Sequence, residues 1–337
     1  MRSAIAMLLA AAVSASAAWA GPAPKSPAGP SSGAKAPPAL GPGGMEPAAG
    51  DSASRPKPAI QIAWRKDLDS ALQEAARTGQ VVLIFFTADW CAPCRLMLEG
   101  TFAVPGMAQY IIQNFIPVKV DDSKAASPAS AKYMIRVYPT VVFLGPSGEP
   151  LHMVVQPRPP ADFHPLLKKI VALPRLIDAQ RRAPDDPEAN FAVGNAFASL
   201  EPLNTLAPAV QLKRAEPYLK RVLELAPKNE NGRLSQARLI LALVPLADGD
   251  AALALRGLEN YLREFSSAPE APVAIFFQGT IQFQDGKLKE ARKYFDQLRT
   301  EYPKHPKAYE ADKVIEAIDA RLKVLEVQPK TPAAPGK

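Results

Sequence analysis

Val81-Val82-Leu83-Ile84-Phe85-Phe86 is a run of six apolar residues, short and built from the branched and aromatic types that suit a pleated sheet. A strand with no polar alternation is buried on both faces, so it belongs at the centre of its sheet with layers on either side. Further strands are predicted at Phe115–Val120, Thr140–Leu144 and Leu151–Val155. The turn signal Gly145-Pro146-Ser147-Gly148 makes the last two antiparallel. Amphipathic helices are predicted over Asp67–Thr78, with Leu68, Ala71, Leu72, Ala75 and Ala76 on one side, from near Cys91, and over Asp162–Val171. Strands alternating with helices and ending in a hairpin define an α/β unit, a small mixed sheet with flanking helices.

That unit, residues 59–173, is about a third of a 337-residue chain, and a chain of this length is expected to hold two domains. Residues 174–326 carry no convincing strand and read as an all-α domain. Asp186-Pro187-Glu188, Ser267-Ala268-Pro269-Glu270 and His305-Pro306-Lys307 are helix-opening signals, with proline where its missing N–H costs nothing. Ala215/Leu219/Val222 recurs as Ala254/Leu258/Tyr261 and again as Ala291/Phe295/Leu298, at offsets of 39 and 37 residues. Such a period means stacked helical hairpins.

The ends are of another kind. Residues 1–20 open on Arg2, continue through an apolar stretch from Ala4 to Val13 and close on Ala18-Trp19-Ala20, the pattern of a signal peptide cleaved after Ala20. The apolar stretch is too short to span a bilayer comfortably, and no other stretch is long and apolar enough to be a membrane helix. The mature chain is expected in an exported, disulfide-permissive compartment, the periplasm first, with secretion or anchoring by an uncleaved leader as alternatives. Residues 21–58 hold ten prolines among Gly, Ala and Ser and read as a linker; residues 327–337 read as a flexible tail. Net charge is +7, yet residues 59–173 carry 11 basic and 9 acidic side chains and residues 174–326 carry 22 of each. The excess lies at the ends, so no basic domain surface points to nucleic acid.

The chain has two cysteines, in Trp90-Cys91-Ala92-Pro93-Cys94. The pair follows the central strand and opens a helix, where unpaired N–H groups and the helix dipole stabilise a thiolate. Cys91, at the helix start, is the expected nucleophile, and Cys94, one turn in, the expected resolving thiol. Pro93 stiffens the turn at no cost in hydrogen bonds. Two other readings of the pair stay open on the residues alone: half of a zinc site completed by His152 and His164, and a purely structural disulfide. No cofactor is implied.

Thr87-Ala88-Asp89-Trp90-Cys91-Ala92-Pro93-Cys94-Arg95 resembles the active-site segment of thioredoxin-like thiol–disulfide oxidoreductases, including the terminal domain of the periplasmic disulfide reductase. Val137-Tyr138-Pro139-Thr140, with its proline 48 residues after Cys91, is a second match. The resemblance implies that Pro139 is cis and faces the cysteines, and that Tyr138, Pro139, Pro93 and Trp90 line the substrate site. It implies protein disulfides as substrates and an external redox partner. One position departs from the family: its buried Asp, six residues before the first cysteine, is Phe85 here. A phenyl ring moves no proton, and Asp89 reads as a loop charge rather than a replacement. Glu99, Lys66 and Arg95 read as surface charges, Arg95 being close enough to favour the Cys91 thiolate.

The helical part resembles tetratricopeptide repeats. Gly279, Gly286, Ala291, Phe295 and Pro303 fall at the consensus spacing; the middle unit keeps Gly249, Ala254 and Leu258; the first ends at Pro227, with Gly194 about nine residues early. The resemblance implies protein docking; an ordinary helical bundle is the alternative. Two functions follow: an exported oxidoreductase whose helical domain docks the partner, or an envelope scaffold with a regulatory CxxC.

Overall fold

The computed structural model describes residues 60–200, 208–228 and 232–327. The leader (1–20), the linker (21–58) and all but the first residue of the tail (327–337) lie outside them. Helix α1 (Leu68–Thr78) leads into β1 (Val81–Thr87), α2 (Ala92–Met97), α3 (Pro105–Asn114), β2 (Phe115–Asp121), α4 (Pro128–Lys132), β3 (Thr140–Leu144) and β4 (Pro150–Val155). α1 is capped at its start by the Asp67 carboxylate and stops at Gly79, whose φ of 72° is left-handed.

The sheet order is β2-β1-β3-β4, with β1 parallel to β2 and antiparallel to β3, and β3 antiparallel to β4. All seven residues of β1 are buried, as a central strand requires. Leu83 and Phe85 face a layer made by Met107, Ala108 and Ile111 of α3 with Phe163, Leu167 and Ile170 of the helix that follows β4. Val82, Ile84 and Phe86 face Ala71 and Ala75 of α1. Each of the Val, Leu, Ile, Phe and Met side chains among these contributes about 1.5–3 kcal/mol when fully buried.

The helix predicted over residues 162–171 is longer. α5 runs Pro160–Arg182, straight through Pro174. Leu166, Ile170, Leu173 and Ile177 keep helical spacing across that proline and are buried, which outweighs the one backbone hydrogen bond it forfeits. The boundary drawn between residues 173 and 174 therefore falls inside a helix. A single apolar core continues from β1 through α5 to Phe191, Leu219 and Ala237 of the helical region.

That region is all-helical: α6 (Pro187–Ala198), α7 (Pro208–Leu225), α8 (Leu234–Leu243), α9 (Ala251–Glu264), α10 (Ala271–Gln284), α11 (Leu288–Glu301) and α12 (Pro306–Val327). The nine residues of the recurring block are each 3% exposed or less. Gly279 of α10 lies under Phe295 of α11, and Gly194 of α6 lies in the same way under Leu219 of α7. Gly194 is therefore a packing residue despite its early position in the sequence. The extra length falls in the connection between α6 and α7.

The helical region is seated on the sheet. Arg214 of α7 donates to the Leu151 carbonyl of edge strand β4 at 2.5 Å and stacks over Phe197 at 4.3 Å. Gln211 contacts the buried His152 at 2.9 Å. Burial holds the Arg214 pKa below its usual value. Among the described residues no helix is long and apolar enough to cross a membrane.

Candidate active site

β1 ends at Thr87, the chain turns over Asp89-Trp90, where the Cys91 N–H donates to the Ala88 carbonyl at 3.1 Å, and α2 begins at the residue after Cys91. Cys91 is the N-cap of α2, with extended backbone, and its Sγ accepts the Cys94 N–H at 3.2 Å. The two cysteines are joined as a disulfide, with their Cα atoms 5.3 Å apart. Cys91 is 3% exposed and Cys94 fully buried, while Ala92 and Pro93 between them are exposed. α2 runs on into a π-helical turn, Leu98–Phe102, that carries Phe102 under the site.

The floor is aromatic. Phe85 is fully buried, 5.0 Å from Phe102 and 5.8 Å from Trp64 between ring centroids. Phe102 in turn meets Phe163 at 5.9 Å.

Trp90 is 64% exposed and stands edge-on to Tyr138 at 5.5 Å. This contact joins the two motifs that lie 48 residues apart in sequence. The Tyr138–Pro139 peptide is cis, and Pro139 is buried at the entry to β3. Leu96 on α2, Met134 just after α4 and Val137 just before Tyr138 are further exposed apolar side chains. Asp89 is exposed; its N–H donates to Ser123 Oγ at 2.8 Å, and its carbonyl accepts from Arg95 at 2.7 Å. Arg95 is thus folded back onto the loop before the cysteines. Glu99 and Lys66 are exposed.

A polar network behind Tyr138 has no counterpart among the motifs read from sequence. The Tyr138 hydroxyl donates to Asp122 Oδ2 at 2.8 Å, the Ser127 N–H donates to Asp122 Oδ1 at 2.8 Å, and the Ser130 hydroxyl also donates to Asp122. Burial pushes the Asp122 carboxyl up, but these hydrogen bonds, from Ser130 foremost, outweigh it and hold the pKa below the ordinary value. Burial and the hydrogen bond to Asp122 push the Tyr138 hydroxyl up. The available signal was Ser127-Pro128, a helix opening just after two acids at a strand end.

His152 and His164 have other surroundings. His152 stacks on Phe143 beside Gln211, and His164 stands edge-on to Tyr110 at 4.8 Å. Among the described residues no group of three or more His, Cys, Asp or Glu converges as a metal site would require.

A cysteine pair opening a helix after a strand is an arrangement that favours thiol–disulfide exchange. The family model described as thioredoxin-like matches residues 63–146. A thioredoxin H-type of Populus jackii is 31% identical over 112 residues, 33% of this chain and 73% of its own. Thioredoxin H4-1 of Oryza sativa subsp. japonica is 31% identical over 113 residues, 33% of this chain and 78% of its own. The thiol:disulfide interchange protein DsbD 2 of Pseudomonas aeruginosa is 30% identical over 93 residues, 27% of this chain but 16% of that much longer protein. A solved thioredoxin from Thermus thermophilus aligns with a TM-score of 0.32 at 21% identity, covering 37% of this chain and 98% of its own. The chain belongs to the thioredoxin-like family of thiol–disulfide oxidoreductases.

Proposed function

We propose that this chain exchanges the Cys91/Cys94 pair with disulfides of other proteins in an exported compartment. The observation that carries the reading is the position of Cys91 Sγ, which caps a helix and accepts the Cys94 N–H. In the reducing direction the Cys91 thiolate attacks one sulfur of the partner disulfide, and the other partner sulfur leaves as a thiolate. Cys94 then attacks Cys91 Sγ, the mixed disulfide breaks, and the second partner thiol is released. Two electrons pass to the partner, and an external dithiol must reduce the Cys91–Cys94 disulfide for the next cycle. Trp90, Pro93, Tyr138 and Pro139 line the approach. With Phe85 in the floor, no carboxylate at that position takes the Cys94 proton, which works against efficient thioredoxin-type reductase kinetics.

Export follows from the leader pattern, with cleavage after Ala20 and the proline-rich stretch as a tether. The helical hairpins are of tetratricopeptide type, as the Gly279–Phe295 and Gly194–Leu219 packing supports. They dock the partner and so raise its effective concentration at Cys91. Reduction of insulin disulfides by dithiothreitol is the test. The expected result is a rate well above that of Cys91→Ser; equal rates would leave the scaffold reading, with a regulatory CxxC, in its place.

A further inference from the structure

The segment between β2 and α4 touches both halves of the site. The Asp122 N–H donates to the Thr87 carbonyl at 2.9 Å, fixing the segment to the end of β1. Ser123 Oγ accepts the Asp89 N–H and donates to Asp121, which holds the loop leading into Trp90 and Cys91. One residue earlier, the Asp122 carboxylate accepts the Tyr138 hydroxyl and so holds the residue before the cis-proline.

We propose that Asp122 and Ser123 are positioning residues that set Trp90 and Tyr138 against one another as one fixed wall beside Cys91. The proposal rests on the exchange function above. Trp90 is largely exposed, so little else in its packing fixes its plane; its neighbour Tyr138 meets it near-perpendicular with ring centroids 5.5 Å apart. Tyr138 can do so only while its own ring is held. Its hydroxyl is tied to an ionised acceptor that is 5% exposed and takes two further hydrogen bonds, from Ser127 and Ser130. Hydrogen bonds to a charged acceptor are the stronger kind, and a network with every member satisfied is rigid. The wall touches the incoming polypeptide, while Asp122 and Ser123 act on it only through Tyr138 and Asp89. Their loss therefore affects how well a protein disulfide is held more than how fast the held one reacts.

The test uses the full chain, labelled with ¹⁵N, and follows the Trp90 indole N–H resonance with that of Trp64 as the internal reference. Tyr138→Phe keeps the ring and removes only the hydroxyl. It is expected to shift or broaden the Trp90 resonance with Trp64 unmoved, and to raise KM for insulin disulfides about three- to tenfold with kcat within about twofold. Asp122→Asn keeps an acceptor oxygen and should fall between wild type and Tyr138→Phe. An unmoved Trp90 resonance together with a wild-type KM in Tyr138→Phe overturns the proposal. The resonance needs no turnover, so it decides the positioning role even if wild type proves inert toward protein disulfides, a result that would overturn the exchange function instead.

Discussion

Gly279 lies directly beneath Phe295: a Cβ on this glycine would stand 2.9 Å from the ring's Cε1 and Cζ. Phe295 is fully buried and cannot swing aside cheaply. Gly279→Ala gains about 1 kcal/mol of helix preference but overpacks a filled core at about 1–3 kcal/mol. A net loss of up to about 2 kcal/mol is expected in urea denaturation. Gly100→Ala, where a Cβ meets nothing within 4 Å, should be neutral or slightly stabilising.

Arg214 ties the helical region to the sheet edge through the Leu151 carbonyl. Removing it takes a charged donor from the buried Leu151 carbonyl and strips a cation from the Phe197 ring. Arg214→Ala should lower stability by about 1.5–3 kcal/mol. Because the core is continuous across α5, the loss should register at Trp64, in the thioredoxin-like part, as well as in helical content.

Phe85 is surrounded by Trp64 and Phe102. Restoring the acid with Phe85→Asp opens space among rings and buries a carboxyl with no designed partner. A loss of about 3–5 kcal/mol is expected at neutral pH. An acid whose folded pKa is raised is stabilised while protonated. The variant should therefore be least impaired below about pH 4 and lose stability as pH climbs through the raised value.

Asp122 gives the opposite slope. Its folded pKa is depressed below the ordinary 3.8, so its contribution is present above that value and is lost as pH falls through the folded one. Asp122→Asn lacks this dependence. The stability gap between wild type and variant, measured in urea, should be wide at pH 6 and narrow toward pH 3.

The parts legible in the sequence are those fixed by local pattern. β1 announces itself because both its faces are buried, and the cysteine pair because a strand end and a helix start flank it. Pro139 is legible because X-Pro at a strand entry has few places to go. α3 is not legible: it buries only Met107, Ala108 and Ile111, and Pro105-Gly106 at its start reads as a turn. α5 is read short because Pro174 is a stop signal until the packing of Leu173 and Ile177 overrides it. Asp122 looks like one more solvated acid, since its partner Tyr138 is 16 residues on and only the sheet brings them together. Gly194 is hidden by the longer connection after α6, which breaks the repeat period without breaking the packing.

The most direct test of exchange through Cys91 uses reduced full-length Cys94→Ser, mixed with a disulfide-bonded, unfolded protein and examined on a non-reducing gel. The expected result is a one-to-one adduct through Cys91, dissolved by dithiothreitol and absent when Cys91 is also replaced by Ser. No adduct, while the wild-type pair still passes between its oxidised and reduced forms, would contradict protein disulfides as its substrates.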